Sequence, residues 1–358
     1  MFDQKTKETL KMCRCCFMCR HACPVFLTTK LDSNTPRGYA LMLSRIDEGI
    51  VPMTDSVVDR LYECTQCGLC KILCAFDWQE DEVVRAGREE VVAAGRTPKN
   101  VNDALAVVEA DYTLPVKDKE AVGKKNADVL YYGGREVAGD TELLTSVEKI
   151  LSAAGVDYGV LEQEYQTGAE LYELGLTDDA KAAAEKLAGA VNASGAKRIV
   201  TSCAHAYKAF KVLYPQFDIT IKPRVQHISE YIGELLNAGK LKIKQAADKM
   251  VYAYHDPCQL GKGCGVYDAP RDAIKAVTGK APQELFHARE EAECCGAGSA
   301  MYLTNHNLSM KMAERRIQGA VEDGTDVLVT ACPNCHKIFS ECGALKVMPL
   351  EKLVAEAL

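Results

Sequence analysis

Two runs of four cysteines near the start of the chain constrain it more than any other feature. Cys13, Cys16, Cys19 and Cys23, followed by Pro24, stand as C-x2-C-x2-C-x3-C-P; Cys64, Cys67, Cys70 and Cys74 repeat the spacing without the proline. Three thiolates two residues apart let a chain curl around one iron–sulfur cubane with its amides facing the sulfides. The fourth cysteine of such a run points away and ligates the other cluster. The spacing therefore predicts two 4Fe–4S clusters, one on Cys13, Cys16, Cys19 and Cys74 and one on Cys64, Cys67, Cys70 and Cys23. Zinc ribbons use paired C-x2-C knuckles and need neither a triplet nor a distal cysteine. Cys15 falls out of register and reads as a bystander.

The 358 residues include 17 cysteines. In an exported chain that number would suggest a disulfide scaffold. The opening MFDQKTKETL has no apolar h-region, so a cytoplasmic protein with reduced thiols is expected. No apolar run approaches the roughly 18 residues of a spanning helix, so any membrane association would run through a partner. A formal charge of −7 and a single tryptophan, Trp78, argue against a nucleic-acid surface.

Between the two runs, TPRGYALMLSRIDEGI and DSVVDRLYEC carry apolar residues at three- and four-residue steps, as helices do. Pro36-Arg37-Gly38 reads as a helix start with proline in the first position. This helical insert, with the two cysteine runs, resembles the two-cluster ferredoxin domain of succinate dehydrogenase, heterodisulfide reductase and glycolate oxidase iron–sulfur subunits. Residues 79–125 are charged and helix-prone, and read as a connecting helix and solvated link without function.

From residue 128 the pattern alternates strand and helix. DVLYYGG, RIVTSCA, KMVYAYHD and DVLVTACP read as largely parallel strands between Ala-rich amphipathic stretches. The half is internally repeated: 197–210 aligns with 326–339, setting Cys203 opposite Cys332, and 127–138 with 249–260, setting Glu136 opposite Cys258. Copy one keeps one of five cysteines; copy two has Cys258, Cys294, Cys295, Cys332 and Cys335. That order, C-x35-C-C-G-x35-C-x2-C, resembles the cysteine-rich CCG domain of heterodisulfide reductase catalytic subunits and of glycolate and lactate oxidase iron–sulfur subunits. The resemblance spans nearly the whole chain and implies a non-cubane 4Fe–4S cluster on those five cysteines. A zinc site or an empty thiol pocket stays open as an alternative. Cys203 reads as a buried remnant, Cys264 and Cys342 as spectators, and His255, Asp256 and His336 as hydrogen-bonding neighbours of the ligands.

The expected fold is α+β multidomain. An α-helical two-cluster ferredoxin domain (1–100) and a linker (101–125) precede a pseudo-duplicated α/β CCG domain, with a degenerate first repeat (126–245) and a complete second (246–358). No dinucleotide fingerprint follows any strand, so the chain itself is not expected to hold flavin. The resemblance implies an electron-transfer subunit working with an FAD-containing oxidoreductase subunit or an electron-transferring flavoprotein, in anaerobic metabolism. The alternative is a heterodisulfide-reductase-like catalytic subunit that reduces a disulfide at the non-cubane cluster.

Overall fold

The structure, a computed structural model, describes residues 2–76, 78–245 and 249–358. The first hundred residues are helical: α1 (Gln4–Met12), α2 (Met18–Ala22), α3 (Pro24–Thr29), α4 (Pro36–Asp47), α5 (Asp55–Tyr62), α6 (Leu69–Leu73), α7 (Glu80–Ala93) and α8 (Lys99–Val108). The Pro36-Arg37-Gly38 turn is a helix start: the Thr35 hydroxyl accepts from the Gly38 amide at 3.0 Å and Pro36 takes a first-turn position. Tyr39, Leu43, Leu61, Val84 and Val101 from these helices share a core with Leu171 and Leu174 from the following half. The stretch expected as a solvated link is thus partly interior, because α7 buries Val83, Val84, Arg88 and Val91.

The second half holds two four-stranded parallel sheets of the same order. β1 (Val129–Tyr132), β2 (Tyr158–Gly159), β3 (Arg198–Thr201) and β4 (Arg224–His227) run β2-β1-β3-β4. β5 (Tyr252–His255), β6 (Gln283–Glu284), β7 (Val327–Thr330) and β8 (Lys346–Pro349) run β6-β5-β7-β8. The four strands expected from apolar runs are the central ones of each sheet. The edge strands leave no comparable signal, since β2 and β6 have two residues each and β4 (RVQH) and β8 (KVMP) carry no apolar run.

Both halves of the repeat contribute to one core: Val129, Tyr131 and Val200 from the first copy, Val327, Leu328 and Val329 from the second. The helix Thr141–Ala153 packs on the closing helix Leu350–Glu356, and Ile228–Asn237 on Asp268–Thr278. The register corrects the repeat alignment by one residue. Val129 pairs with Arg198 and Tyr252 with Val327, so Arg135, rather than Glu136, stands opposite Cys258. No helix among the described residues is long and apolar enough to cross a membrane.

Candidate iron–sulfur centres

The two N-terminal runs meet where α2 packs on α6. Cys19 is buried in α2, receives a hydrogen bond from the Arg37 amide, and has Cys16 and Cys74 as electrostatic neighbours. Cys23 ends α2 and starts α3, and its neighbours are Cys67 and Cys64 of the other run. Burial pushes the Cys23 and Cys64 thiols up, so metal binding there must displace protons.

Cys23, Cys64, Cys67 and Cys70 line one cavity with Pro24, Val25, Pro36, Tyr39 and Leu69. At this cavity the Tyr39 hydroxyl and the Gln66 Nε2 are buried without a hydrogen-bond partner among the described residues. An unsatisfied buried donor costs about 1–3 kcal/mol. Four thiols around a shared space, with two idle donors beside it, suit a guest rich in acceptor sulfur. The residues fit a cubane.

The second cysteine set gathers at the C-terminal edge of the second sheet, where ligands of open α/β sheets converge. Cys258 follows β5, Cys332 caps the helix Pro333–Cys342 that follows β7, and Cys335 lies in its first turn. The pair Cys294-Cys295 comes from the loop before Gly296, whose φ is +101° and where a Cβ would sit 2.5 Å from the Ser309 carbonyl. Only glycine serves there. All five cysteines are buried and none is in a disulfide.

Their sulfurs touch: Cys335 and Cys295 are 3.3 Å apart, Cys294 is hydrogen-bonded with both Cys258 and Cys295, and Cys332 with Cys335. Bonds from Cys258, Cys294 and Cys335 hold Cys294, Cys295 and Cys332 respectively below the ordinary thiol range. Cys258 and Cys335, which donate without accepting, are held well above it.

His255 completes this pocket. One of its ring nitrogens and the Cys295 and Cys335 sulfurs all lie within 4.8 Å of one another. Its side chain is fully buried, its ring meets that of Phe339 edge-on with centres 4.7 Å apart, and neither ring nitrogen has a hydrogen-bond partner among the described residues. Burial, then the nearby Arg316 charge, holds it well below the usual imidazole range, so it is neutral. A neutral imidazole with two idle nitrogens beside crowded thiols fits a metal–sulfur group. The other two suspected neighbours turn away. Asp256 is held by both Arg271 Nη atoms at 2.7 and 2.8 Å, and His336 faces Asp140 at 3.6 Å.

The corresponding place in copy one holds charges instead of thiols. Arg135 bridges Glu136 and Glu170, and the buried Glu164 carboxylate accepts from the Gly133 and Gly134 amides at 2.9 and 3.0 Å. Burial raises Glu164 to about 7 despite those bonds. Cys203 is buried facing Cys332, Cys15 is exposed, and Cys342 bonds back to Ile338 in its own helix.

The two cysteine regions are in contact. Cys67 of the second run shares a hydrogen bond with Cys294. Their loops press together so closely that a Cβ on Gly298 would lie 2.5 Å from the Thr65 carbonyl. Sequence reasoning misses Tyr39, Gln66 and this contact. Tyr39 lies on the apolar stripe of α4 and Gln66 between two cysteines, positions that mark them only once the ligands are placed.

Among known proteins, residues 9–77 match the 4Fe-4S dicluster domain and residues 252–340 the cysteine-rich CCG domain. The chain is 30% identical over 322 residues to a subunit of the dihydromethanophenazine:CoB–CoM heterodisulfide reductase of Methanosarcina barkeri, covering 84% of this chain and 78% of that one. It is 27% identical over 404 residues to a protein named EtfAB:quinone oxidoreductase of Syntrophomonas wolfei, covering 95% of this chain and 56% of that one. A crystal structure of a hypothetical protein from Helicobacter pylori shares the fold, with a TM-score of 0.64 at 12% identity over 99% of this chain and 73% of the other.

Proposed function

The chain belongs to the family of that heterodisulfide reductase subunit, and from that premise we propose that it relays electrons between a flavin-bearing partner and its own CCG centre. It is an iron–sulfur oxidoreductase subunit; the route and the partner are our reading. Cys13, Cys16, Cys19 and Cys74 would hold one cubane, and Cys64, Cys67, Cys70 and Cys23 the other. Cys258, Cys294, Cys295, Cys332 and Cys335 would hold a non-cubane 4Fe–4S cluster. Bound there, these groups supply one-electron transfer, and a flavin on the partner supplies the two-electron step of an organic substrate.

The observation that carries this reading is the Cys67–Cys294 contact, which sets the second cubane site against the CCG site. In the first run Cys15 and Cys16 are exposed, as are Met12, Phe17, Met18 and Phe76. Contact between one N-terminal run and the CCG cysteines, with an exposed edge on the other run, would suit a relay. The salt-bridged remnant in copy one removes the second thiol site that paired chemistry on a disulfide would use. The name EtfAB:quinone oxidoreductase, borne by a relative, supports a redox protein such as EtfAB as partner.

A cleft favours a second reading. Cys67, Cys258, His205, Lys208 and Lys262 line a cavity of about 220 Å³ open enough to admit a small disulfide. In that case the chain would itself perform RSSR + 2e⁻ + 2H⁺ → 2RSH. To separate the two, the purified chain is reduced chemically and offered disulfides with no flavoprotein present. The relay reading expects slow reoxidation and no thiol release. Rapid reoxidation with two thiols formed per disulfide would replace it by the second reading.

A further inference from the structure

Arg88 has no exposed surface, yet it is a permanent cation. Its guanidinium is fully engaged: Nε and Nη2 donate to the Leu61 carbonyl at 3.0 and 2.7 Å, and Nη2 also to the Cys64 carbonyl at 2.7 Å. Nη1 donates to the Glu173 carbonyl and to the Ser299 hydroxyl, both at 2.6 Å. Every one of these acceptors is formally neutral. Among the described residues no carboxylate forms an ion pair with Arg88. The Glu173 carboxylate feels the Arg88 charge without pairing with it, being bonded to His205 at 3.1 Å and Gln259 at 3.2 Å.

A charge held out of water among neutral dipoles carries a desolvation cost that a counter-charge normally offsets. The side chain reaches the Cys64 carbonyl, beside the cavity lined by Cys23, Cys64, Cys67 and Cys70. Four thiolates outweigh the positive charge of a 4Fe–4S core, so a cubane held here would make a net negative assembly. We propose that Arg88 is the internal counter-cation of the cubane on these four cysteines and, through the same bonds, the residue that positions this cubane's loop against both CCG repeats. This rests on the reading of the four cysteines as a cubane site.

The geometry supports both halves of the role. Leu61 lies in the last turn of α5 and Cys64 opens the cubane loop just after it, Glu173 belongs to the first repeat, and Ser299 to the loop that follows Cys294-Cys295. One side chain therefore ties together the segments that meet at Cys67 and Cys294. A reduced cluster carries one more negative charge than an oxidised one, so a buried cation beside it favours the reduced state. Loss of the charge then lowers that cluster's potential and leaves the others in place.

The experiment uses the full chain with its clusters, titrated potentiometrically while EPR spectra are recorded. Arg88→Gln, which keeps polar contacts and removes the charge, is expected to move one cubane potential downward. The other cubane and the CCG centre should hold theirs. Arg88→Lys, which keeps the charge and loses the fork, should stay near the wild-type potential while its thermal unfolding temperature falls. An Arg88→Gln protein with unchanged potentials overturns the proposal. If that variant does not fold, Arg88→Lys decides: a retained potential supports the counter-cation, and a lowered one overturns it. A wild-type chain without two cubane signals would instead defeat the underlying cubane assignment.

Discussion

The sulfurs of Cys295 and Cys335 stand 3.3 Å apart although 40 residues separate them, and His255 is the imidazole beside both. Sulfurs so close, in a pocket without a disulfide, make iron content the first measurement. About 12 irons per chain are expected on four per cluster, falling to about 8 in Cys295→Ser with the cubane spectra retained. A wild type with about 8 irons and about one zinc would mark the pocket as a zinc site.

His255 should interact with whatever Cys295 and Cys335 bind, because both its nitrogens are buried and idle. Labelling histidine with ¹⁵N should reveal a nitrogen hyperfine coupling in the CCG signal that His255→Phe abolishes, with the cubane signals unchanged. No coupling in the wild type would leave His255 as a packing partner of Phe339.

Cys23 neighbours Cys64 and Cys67, while Cys19 neighbours Cys74. Crossed ligation then predicts that Cys23→Ser and the double variant Cys23→Ser/Cys67→Ser lose the same single cubane, about four irons each. A double variant that loses about eight would show that each run holds its own cluster.

The buried His205–Glu173 pair gives a pH dependence. Burial alone would push His205 down, but the Glu173 carboxylate overcomes it and holds the imidazole at about 9, against an ordinary value of 6.5. The folded chain therefore binds a proton that the unfolded chain releases, and the pair's stabilisation is complete below about 6.5 and lost as pH rises towards about 9. Thermal unfolding temperature should fall across that window, and His205→Gln should flatten the profile. A wild-type profile already flat there would remove the pair as a stability element.

The surface around Cys15 and Cys16 exposes Phe17 beneath the Arg37 guanidinium, 4.4 Å from the ring centre. If this is the docking end, Phe17→Glu should slow reduction by a partner flavoprotein roughly tenfold, a loss of about 1.4 kcal/mol. Iron content and potentials should not change. Equal rates in variant and wild type would move the docking surface elsewhere, with the helical insert 25–63 next to be tested.

Much of this molecule is legible in the sequence because its strongest signals are local. Ligand spacing in the two N-terminal runs depends on a chain curling around one object, so eight cysteines declare themselves within two short stretches, 13–23 and 64–74. The central strands β1, β3, β5 and β7 are short apolar runs, buried on both faces of parallel sheets, and such runs stand out in any sequence. The duplicated CCG pattern follows from the same runs. Arg88 is hidden, although it sits four residues after Val84 and three before Val91 on an apolar stripe of α7. A charge on a buried face is a signal, but the charged residues around it on α7 mask it.

The chemistry on offer is written in the order of residues: which thiols occur at cluster spacing, which copy of the repeat retains them, and that parallel strands carry them. Where those groups face is a property of the folded chain. Folding set Cys67 against Cys294, turned His255 inward and Asp256 and His336 away, and put Arg135 rather than Glu136 opposite Cys258. The physical reason is that burial, pairing and charge compensation are settled between segments far apart in the chain. Arg88 shows this most plainly, since its acceptors are drawn from residues 61, 64, 173 and 299, and no local pattern could have brought them to one guanidinium.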